Sequence, residues 1–254
     1  VSKWYDQSGN DNHATQGTSA SQPKIVDGGS LVTGGIDFDG VDDYFQLNLG
    51  ADLAQPNSFF MVHESDSLNY DKNEFFDAVG SSASLSRTLI DSTGGSYRLA
   101  APTDFSSTLT LDLAQKTVVG VFVNSTSSFL SKNGEISATS DAGTDGVDQF
   151  SYIGRSSTRY YDGKMDEFII YNTDQSDKRR AIEENIGSTY GITLTSSKDG
   201  TVSKWYDQST TSGVPNANHA VQTSAASQPK IVDGGALVTG GLDFDGLGDQ
   251  LDLS

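Results

Sequence analysis

Thr117-Val118-Val119-Gly120-Val121-Phe122-Val123 decides the fold. One glycine apart, the run is β-branched or aromatic throughout and carries no charge, which predicts a strand buried on both faces. Downstream, Ser128-Phe129-Leu130-Ser131 and Glu135-Ile136-Ser137-Ala138 flank Lys132-Asn133-Gly134, and an Asn-Gly pair between two such runs is the mark of a tight hairpin turn. Upstream, Thr108-Leu109-Thr110-Leu111-Asp112-Leu113 alternates with three leucines on one face. Arg87-Thr88-Leu89-Ile90-Asp91 and Tyr97-Arg98-Leu99-Ala100 read as a hairpin closed through Ser92 to Ser96. Ser58-Phe59-Phe60-Met61-Val62-His63 is placed near a sheet centre, and Phe45 to Leu49 has the period of a half-buried strand.

Beyond the hairpin, Phe150-Ser151-Tyr152-Ile153-Gly154 is a strand that leads into a loop, Arg155-Ser156-Ser157-Thr158-Arg159. Residues 160–172 read as two strands separated at Asp162-Gly163. Only then does the period become helical, with Ser176 as N-cap, Asp177 at the positive end of the helix dipole, a stripe of Ala181, Ile182, Ile186 and Tyr190, and Gly191 as the stop. Ile192-Thr193-Leu194 reads as a short return strand. Many short strands with polar turns predict an all-β fold, an antiparallel β-sandwich and most simply a jelly roll, with one short C-terminal helix. So short a helix is expected to plug an edge or to join one domain to the next.

The opening of the chain is written twice. Val1-Ser2-Lys3-Trp4-Tyr5-Asp6-Gln7-Ser8 returns as Val202 to Ser209, an offset of 205 − 4 = 201, and Gln22-Pro23-Lys24-Ile25-Val26-Asp27-Gly28-Gly29 returns as Gln228 to Gly235, an offset of 228 − 22 = 206. The extra residues fall in a polar tract, Thr210-Thr211-Ser212-Gly213-Val214-Pro215, where a surface loop absorbs insertions. A period of about 200 residues is that of a domain, because solenoid units run about 20–50. The expectation is a jelly-roll domain over 1–196 and, over 197–254, the opening strands of a second, truncated copy. Either the chain is a window on an array of near-identical domains, or the spare opening packs into a neighbouring molecule by strand exchange.

A net charge of −18 and a pI near 4.2 argue against nucleic acid and against anionic membranes as partners. The absence of cysteine excludes disulfides, thiolate metal sites and thiol catalysis, and no apolar run approaches the roughly 20 residues that span a bilayer. Twelve Phe and ten Tyr supply a core, while 27 Gly against 5 Pro points to many tight turns.

The set Trp4-Tyr5-Asp6-Gln7-Ser8-Gly9-Asn10, Phe38-Asp39-Gly40-Val41-Asp42-Asp43-Tyr44, Tyr152-Ile153-Gly154-Arg155 and Asp162-Gly163-Lys164-Met165-Asp166-Glu167-Phe168 resembles the laminin-G-like, concanavalin A-like jelly-roll superfamily. Its most specific part is Gly-Lys-hydrophobe-Asp-Glu before a hydrophobic strand and a helix. The resemblance covers nearly all of 1–194 and then restarts. It implies a non-catalytic module of a large bacterial secreted or surface protein, one that binds glycans or acts as a spacer and often holds calcium. It implies fold strongly and function weakly, since one jelly roll hosts many activities.

For a calcium ion, which takes six to eight oxygens, the candidate ligands are Asp39, Asp43, Asp166 and Glu167, within a wider group that includes Asp37 and Asp42. Asp39 and Asp43 map to Asp245 and Asp249 in the second copy but Asp42 maps to Gly248, so a ligand shared by both copies must be Asp39 or Asp43. The competing reading is a set of solvated turn carboxylates. For a sugar, the candidates are Arg155, Arg159, Tyr160 and Tyr161, two planar cations and two aromatics over one loop, and Trp4, which a sugar ring could stack on but which at the start of a strand is more often a core or interface plug. His13, His63 and His219 have no zinc spacing, and Lys178-Arg179-Arg180 reads as a solvated or salt-bridged helix face.

Catalysis by paired acids needs carboxylates about 5–10 Å apart. Glu64-Ser65-Asp66 begins an alternating acidic pattern that Leu68 ends, and Asp166-Glu167 are adjacent, so on a strand they face opposite sides. The expectation is therefore no enzyme but an extracellular or cell-surface adhesion module that binds cell-surface or matrix glycans, without nucleic acid or membrane insertion. The alternatives are a structural repeat that contacts neighbouring copies of itself in a filament, fibre or viral appendage, and a glycosidase.

Overall fold

The computed structural model describes residues 1–78, 89–93, 95–100, 103, 105–156, 158–195, 200–211, 214–215, 218–224, 227–233, 236–244 and 248–253. It divides into two compact units, Val1–Leu194 and Thr195–Ser254.

The first unit opens with β1 (Lys3–Trp4), β2 (Ala14–Thr15), β3 (Val26–Asp27), β4 (Ser30–Leu31), β5 (Ile36–Asp39) and β6 (Phe45–Asn48). It continues with β7 (Asn57–Ser65), β8 (Glu74–Ala78), β9 (Leu89–Thr93), β10 (Ser96–Ala100) and β11 (Phe105–Thr110). It closes with β12 (Thr117–Val123), β13 (Phe129–Lys132), β14 (Glu135–Ile136), β15 (Phe150–Ile153), β16 (Asp162–Tyr171) and the helix α1 (Arg179–Tyr190). One sheet runs β1-β2-β6-β15-β8-β9-β10-β11 and the other β14-β13-β12-β7-β16-β5, with antiparallel ladders in both. The unit is thus an all-β antiparallel sandwich with one short helix.

The founding run lies where its composition demands. Every residue of β12 is buried, and β7 and β13 flank it. Side chains alternate between faces, so Val119, Val121 and Val123 join Phe59, Met61, Phe45, Phe76 and Leu99 in the core between the sheets. On the other face Val118 and Phe122 join Phe60 and Val62 in a second cluster sealed by Ile186 of α1. Each such side chain contributes about 1.5–3 kcal/mol by leaving water. Asn133 and Gly134 take φ of 47° and 90°, the left-handed pair that a tight hairpin needs.

Several expectations are corrected. The helix covers the middle of a sheet and does not plug an edge, because both β7 and β12 carry apolar residues on that outer face. A 3-10 turn at Ser176–Lys178 precedes it, so Ser176 is not its N-cap. Ala181 is exposed, and the place it was assigned on the buried stripe belongs to Glu183, which accepts from Ser131 Oγ at 2.5 Å and pairs with Arg179. Ile192 and Leu194 pack on the helix-side cluster without forming a strand. Residues 162–171 are one strand, not two: Gly163 (φ 143°) marks a close approach, since a Cβ there would meet Glu64 O at 2.3 Å. Leu113 is exposed because β11 ends at Thr110. The hairpin strand expected at 87–91 is β9, two residues later, and Arg87 and Thr88 lie outside the described residues.

The second unit contains β17 (Gly200–Thr201), β18 (Lys204–Trp205), β19 (Thr210–Thr211), β20 (Val214–Pro215), β21 (Ala220–Val221), β22 (Lys230–Asp233), β23 (Ala236–Leu237) and β24 (Asp252–Leu253). Its ladders repeat those of the first unit in register: Trp205 opposite Ala220 as Trp4 opposite Ala14, and Val232 opposite Leu237 as Val26 opposite Leu31. Within the inserted tract β19 pairs antiparallel with β20.

Candidate functional site

At one end of the sandwich three loops of the first unit converge: 39–44 between β5 and β6, 69–74 before β8, and 154–161 between β15 and β16. Backbone hydrogen bonds bind them together, from Gly40 N to Tyr161 O at 3.0 Å and from Tyr160 N to Asp71 O at 3.4 Å, while Gly154 N donates to Phe75 O of β8 at 2.9 Å and Tyr161 N closes the third loop on Gly154 O at 2.8 Å. The Lys72 ammonium donates to Gly40 O. Gly154 (φ 82°) is required here, because a Cβ would strike the Phe38 ring at 2.5 Å.

The first loop is an acidic turn. Asp39 Oδ1 accepts from the N–H groups of Val41 at 2.8 Å, Asp42 at 3.2 Å and Asp43 at 3.4 Å, while Asp43 Oδ2 accepts from Asp39 N at 3.1 Å and Asp42 Oδ2 from Ser21 Oγ at 3.0 Å. Ligand oxygens of Asp39, Asp42 and Asp43 lie within 4.8 Å of one another, the one such acidic group among the described residues. Burial first, and then the charge of Asp39, push the Asp43 carboxyl up to about 6. The structure therefore brings together Asp39 and Asp43 with Asp42, which the repeat comparison had set aside as a shared ligand. It does not bring Asp166 or Glu167 to them. Asp166 pairs with Lys116 at 2.8 Å, and Glu167 shares a hydrogen bond with Tyr190. Asp245 lies outside the described residues, so the second copy gives no view of the corresponding turn.

Beside this turn is a cation enclosed by aromatic rings. The Arg155 guanidinium carbon is 4.6 Å from the ring centre of Tyr44, 5.0 Å from Tyr152 and 5.6 Å from Tyr160, and the rings of Tyr44 and Tyr152 meet edge to face at 5.5 Å. Each contact is worth about 0.5–1 kcal/mol near the surface. The strands explain the placement: Phe45 and Ile153 point into the core, so Tyr44 and Tyr152, one residue earlier on each, point outward. Tyr152 stands opposite the exposed Gln46. Arg155 Nε donates to Ser156 O at 3.0 Å, and the guanidinium makes no ion pair among the described residues.

The other sugar candidates are placed differently. Arg159 is occupied by the buried Glu74, Nη1 to Oε1 at 2.7 Å, and by Asp71 at 3.4 Å. Tyr161 is wholly buried, its hydroxyl donating to Glu64 O at 2.9 Å and Lys164 O at 3.1 Å. Trp4 is half-buried against Phe45. The sequence reading missed Tyr44 and Tyr152; their signal was an aromatic one residue before a buried strand position on each of two strands that pair.

Two paired sheets and this rim of loops define an antiparallel β-sandwich of jelly-roll type. No protein-family model matches the chain, and no curated protein does. Among solved structures, a mutant Trypanosoma rangeli sialidase displaying trans-sialidase activity aligns at 17% identity and a TM-score of 0.52, over 76% of this chain and 32% of that one. Domains LG4-5 of the mouse laminin α1 chain align at 11% identity and a TM-score of 0.46, over 63% and 48% of the two chains. Domain 4 of an extracellular GH43 arabinanase from Geobacillus stearothermophilus, in complex with arabinotriose, aligns at 14% and 0.42, over 59% and 80%. At such identities the likeness is one of fold alone.

Proposed function

We propose that the first unit is a non-catalytic carbohydrate-binding module of an extracellular or cell-surface protein, with Tyr44, Tyr152, Arg155 and Tyr160 as its contact surface. The observation that carries the reading is the Arg155 guanidinium, held among three tyrosine rings and, among the described residues, paired with no carboxylate. Tyrosine faces suit the C–H face of a sugar ring, and a planar cation beside them suits hydroxyl or carboxylate substituents. Calcium would be held at the neighbouring turn by Asp39, Asp42 and Asp43, with water completing its shell; one oxygen each of Asp39 and Asp43 serves the turn and one of Asp42 accepts from Ser21, and the Asp43 carboxyl is raised by burial first and then by the charge of Asp39, a repulsion that a divalent ion would relieve.

The test is a glycan array probed with the intact chain, with and without calcium. Binding should fall at least tenfold in Arg155→Ala and in Tyr152→Ala, two changes of partly exposed side chains that spare the core. Failure to bind any sugar under either condition would reject the reading. A second reading, a structural repeat that contacts further copies of the same domain, is favoured by one observation, the register-matched second unit.

A further inference from the structure

The first loop of each copy closes in one pattern. Asp6 Oδ1 accepts from Ser8 N at 2.8 Å and Oδ2 from Asn12 N at 3.0 Å, while Asp6 N donates to His13 Nδ1 at 3.1 Å. In the second unit Asp207 accepts from Ser209 N at 2.8 Å and from the backbone of Asn218, and Asp207 N donates to His219 Nδ1 at 3.0 Å. Three residues, Gly9-Asn10-Asp11, fill the loop between Ser8 and Asn12, and eight, 210–217, fill the loop between their counterparts Ser209 and Asn218. A clamp that keeps its distances while the loop it closes lengthens is set by its own residues.

What the clamp holds in place is a tyrosine. The His13 ring meets the Tyr5 ring edge to face at 5.1 Å, and His219 meets Tyr206 in the same way at 5.0 Å. Over the tyrosine rings stand the ammonium groups of Lys3 at 5.2 Å and Lys204 at 4.9 Å. Braced on two sides, the rings are still 60% and 57% exposed. Tyr5 is exposed with the later strands of its sandwich in place, and Tyr206 with the residues that lead into its copy in place, so the exposure they share depends on neither. Neither lysine forms an ion pair among the described residues, in a chain with 34 acidic side chains against 16 basic ones. Each copy thus presents an aromatic face of fixed orientation beside a cation that no carboxylate occupies.

We propose that Tyr5 with Lys3, and Tyr206 with Lys204, form a second carbohydrate site, one in each copy, that takes a single sugar ring. The C–H face of the sugar packs on the tyrosine ring and the ammonium donates to hydroxyl or carboxylate oxygens at its rim. Both oxygens of Asp6 are taken up by backbone N–H groups, so the ring and the ammonium carry the contact. A ring already held by its histidine and lysine loses little freedom when a ligand stacks on it, which lowers the cost of binding. Two such sites on one chain suit a polysaccharide of repeating units, where the second contact gains from effective concentration. This site involves none of the Arg155 surface and stands without it.

The experiment is a glycan array probed with the full chain carrying Arg155→Ala, which silences the other surface. Binding should persist in that variant, and adding Tyr5→Ala and Tyr206→Ala together should lower it at least tenfold. Tyr5→Phe with Tyr206→Phe should retain it, because stacking needs the ring and not the hydroxyl. Both tyrosines lie outside the core, so the circular dichroism of every variant should match that of the unaltered chain. No binding left once Arg155 is replaced, or binding that the two alanines leave unchanged, would overturn the proposal. Binding that depends on the tyrosine pair and is indifferent to Arg155 would support it while rejecting the Arg155 surface, so the two readings fail separately.

Discussion

Replacing His63 by glutamine should remove most of an acid sensitivity built into the core of the first unit. The ring is wholly buried on β7 between Phe75, Tyr97 and Tyr161, with Nε2 2.9 Å from the Tyr97 hydroxyl and Nδ1 3.3 Å from Ser65 Oγ. Burial first, and then the positive charge of Lys132, lower its pKa from 6.5 to about 3. Between those values the unfolded chain binds a proton that the folded chain refuses, so stability falls as pH falls. The slope is about 1.4 kcal/mol per pH unit below 6.5. Between pH 7 and pH 4.5 the loss from this one residue is therefore roughly 3 kcal/mol. Carboxylates held up by burial, Asp43 among them, bind the proton more readily when folded and act in the opposite sense, but they do so equally in both proteins. Urea denaturation at the two pH values isolates the histidine as a difference. Wild type should lose about 3 kcal/mol more than His63→Gln. If both lose the same amount, the imidazole is being protonated inside the folded state, and the argument from burial fails.

Other outcomes follow from the same geometry. Gly163→Ala should cost about 3 kcal/mol or more in denaturant titration, because the added carbon meets Glu64 O at 2.3 Å and the φ of 143° is closed to alanine. Gly191→Ala, at φ 68° with open space around it, should cost only about 1 kcal/mol. If Asp39, Asp42 and Asp43 hold calcium, a hundredfold excess over the dissociation constant stabilises by about 2.7 kcal/mol. Differential scanning fluorimetry should then register a rise of several degrees in Tm on adding calcium, reversed by chelator and absent in Asp43→Asn.

The fold was legible wherever one residue type carries one physical meaning. An uncharged β-branched run such as 117–123 has no alternative to burial, and Asn133-Gly134 has few alternatives to a hairpin turn. Asp162-Gly163 was misleading because glycine answers two needs, the reversal of a chain and the passage of one backbone close to another, and composition does not distinguish them. Glu183 escaped notice for a different reason. A glutamate between two isoleucines on a helix looks solvated until Ser131 and Arg179, distant in sequence, are brought to it. The candidate site was half legible on the same grounds: Arg155 and Tyr160 lie in one loop and could be paired by eye, whereas Tyr44 joins them only through the pairing of β6 with β15. Asp166 and Glu167 were grouped with Asp39 by charge alone, and the strand carries them away from it.

The opening residues draw one ladder with β16 upon them and the same ladder without it. A segment that finds its register before its cover arrives organises itself from local information, and such contacts form early. With nearly the same opening written twice, both copies offer an edge that suits β16, and exchange of strands between copies is a failure to which multidomain and repeat proteins are prone. Early local order limits that hazard in part, since each opening is already shaped when the nearest matching strand leaves the ribosome.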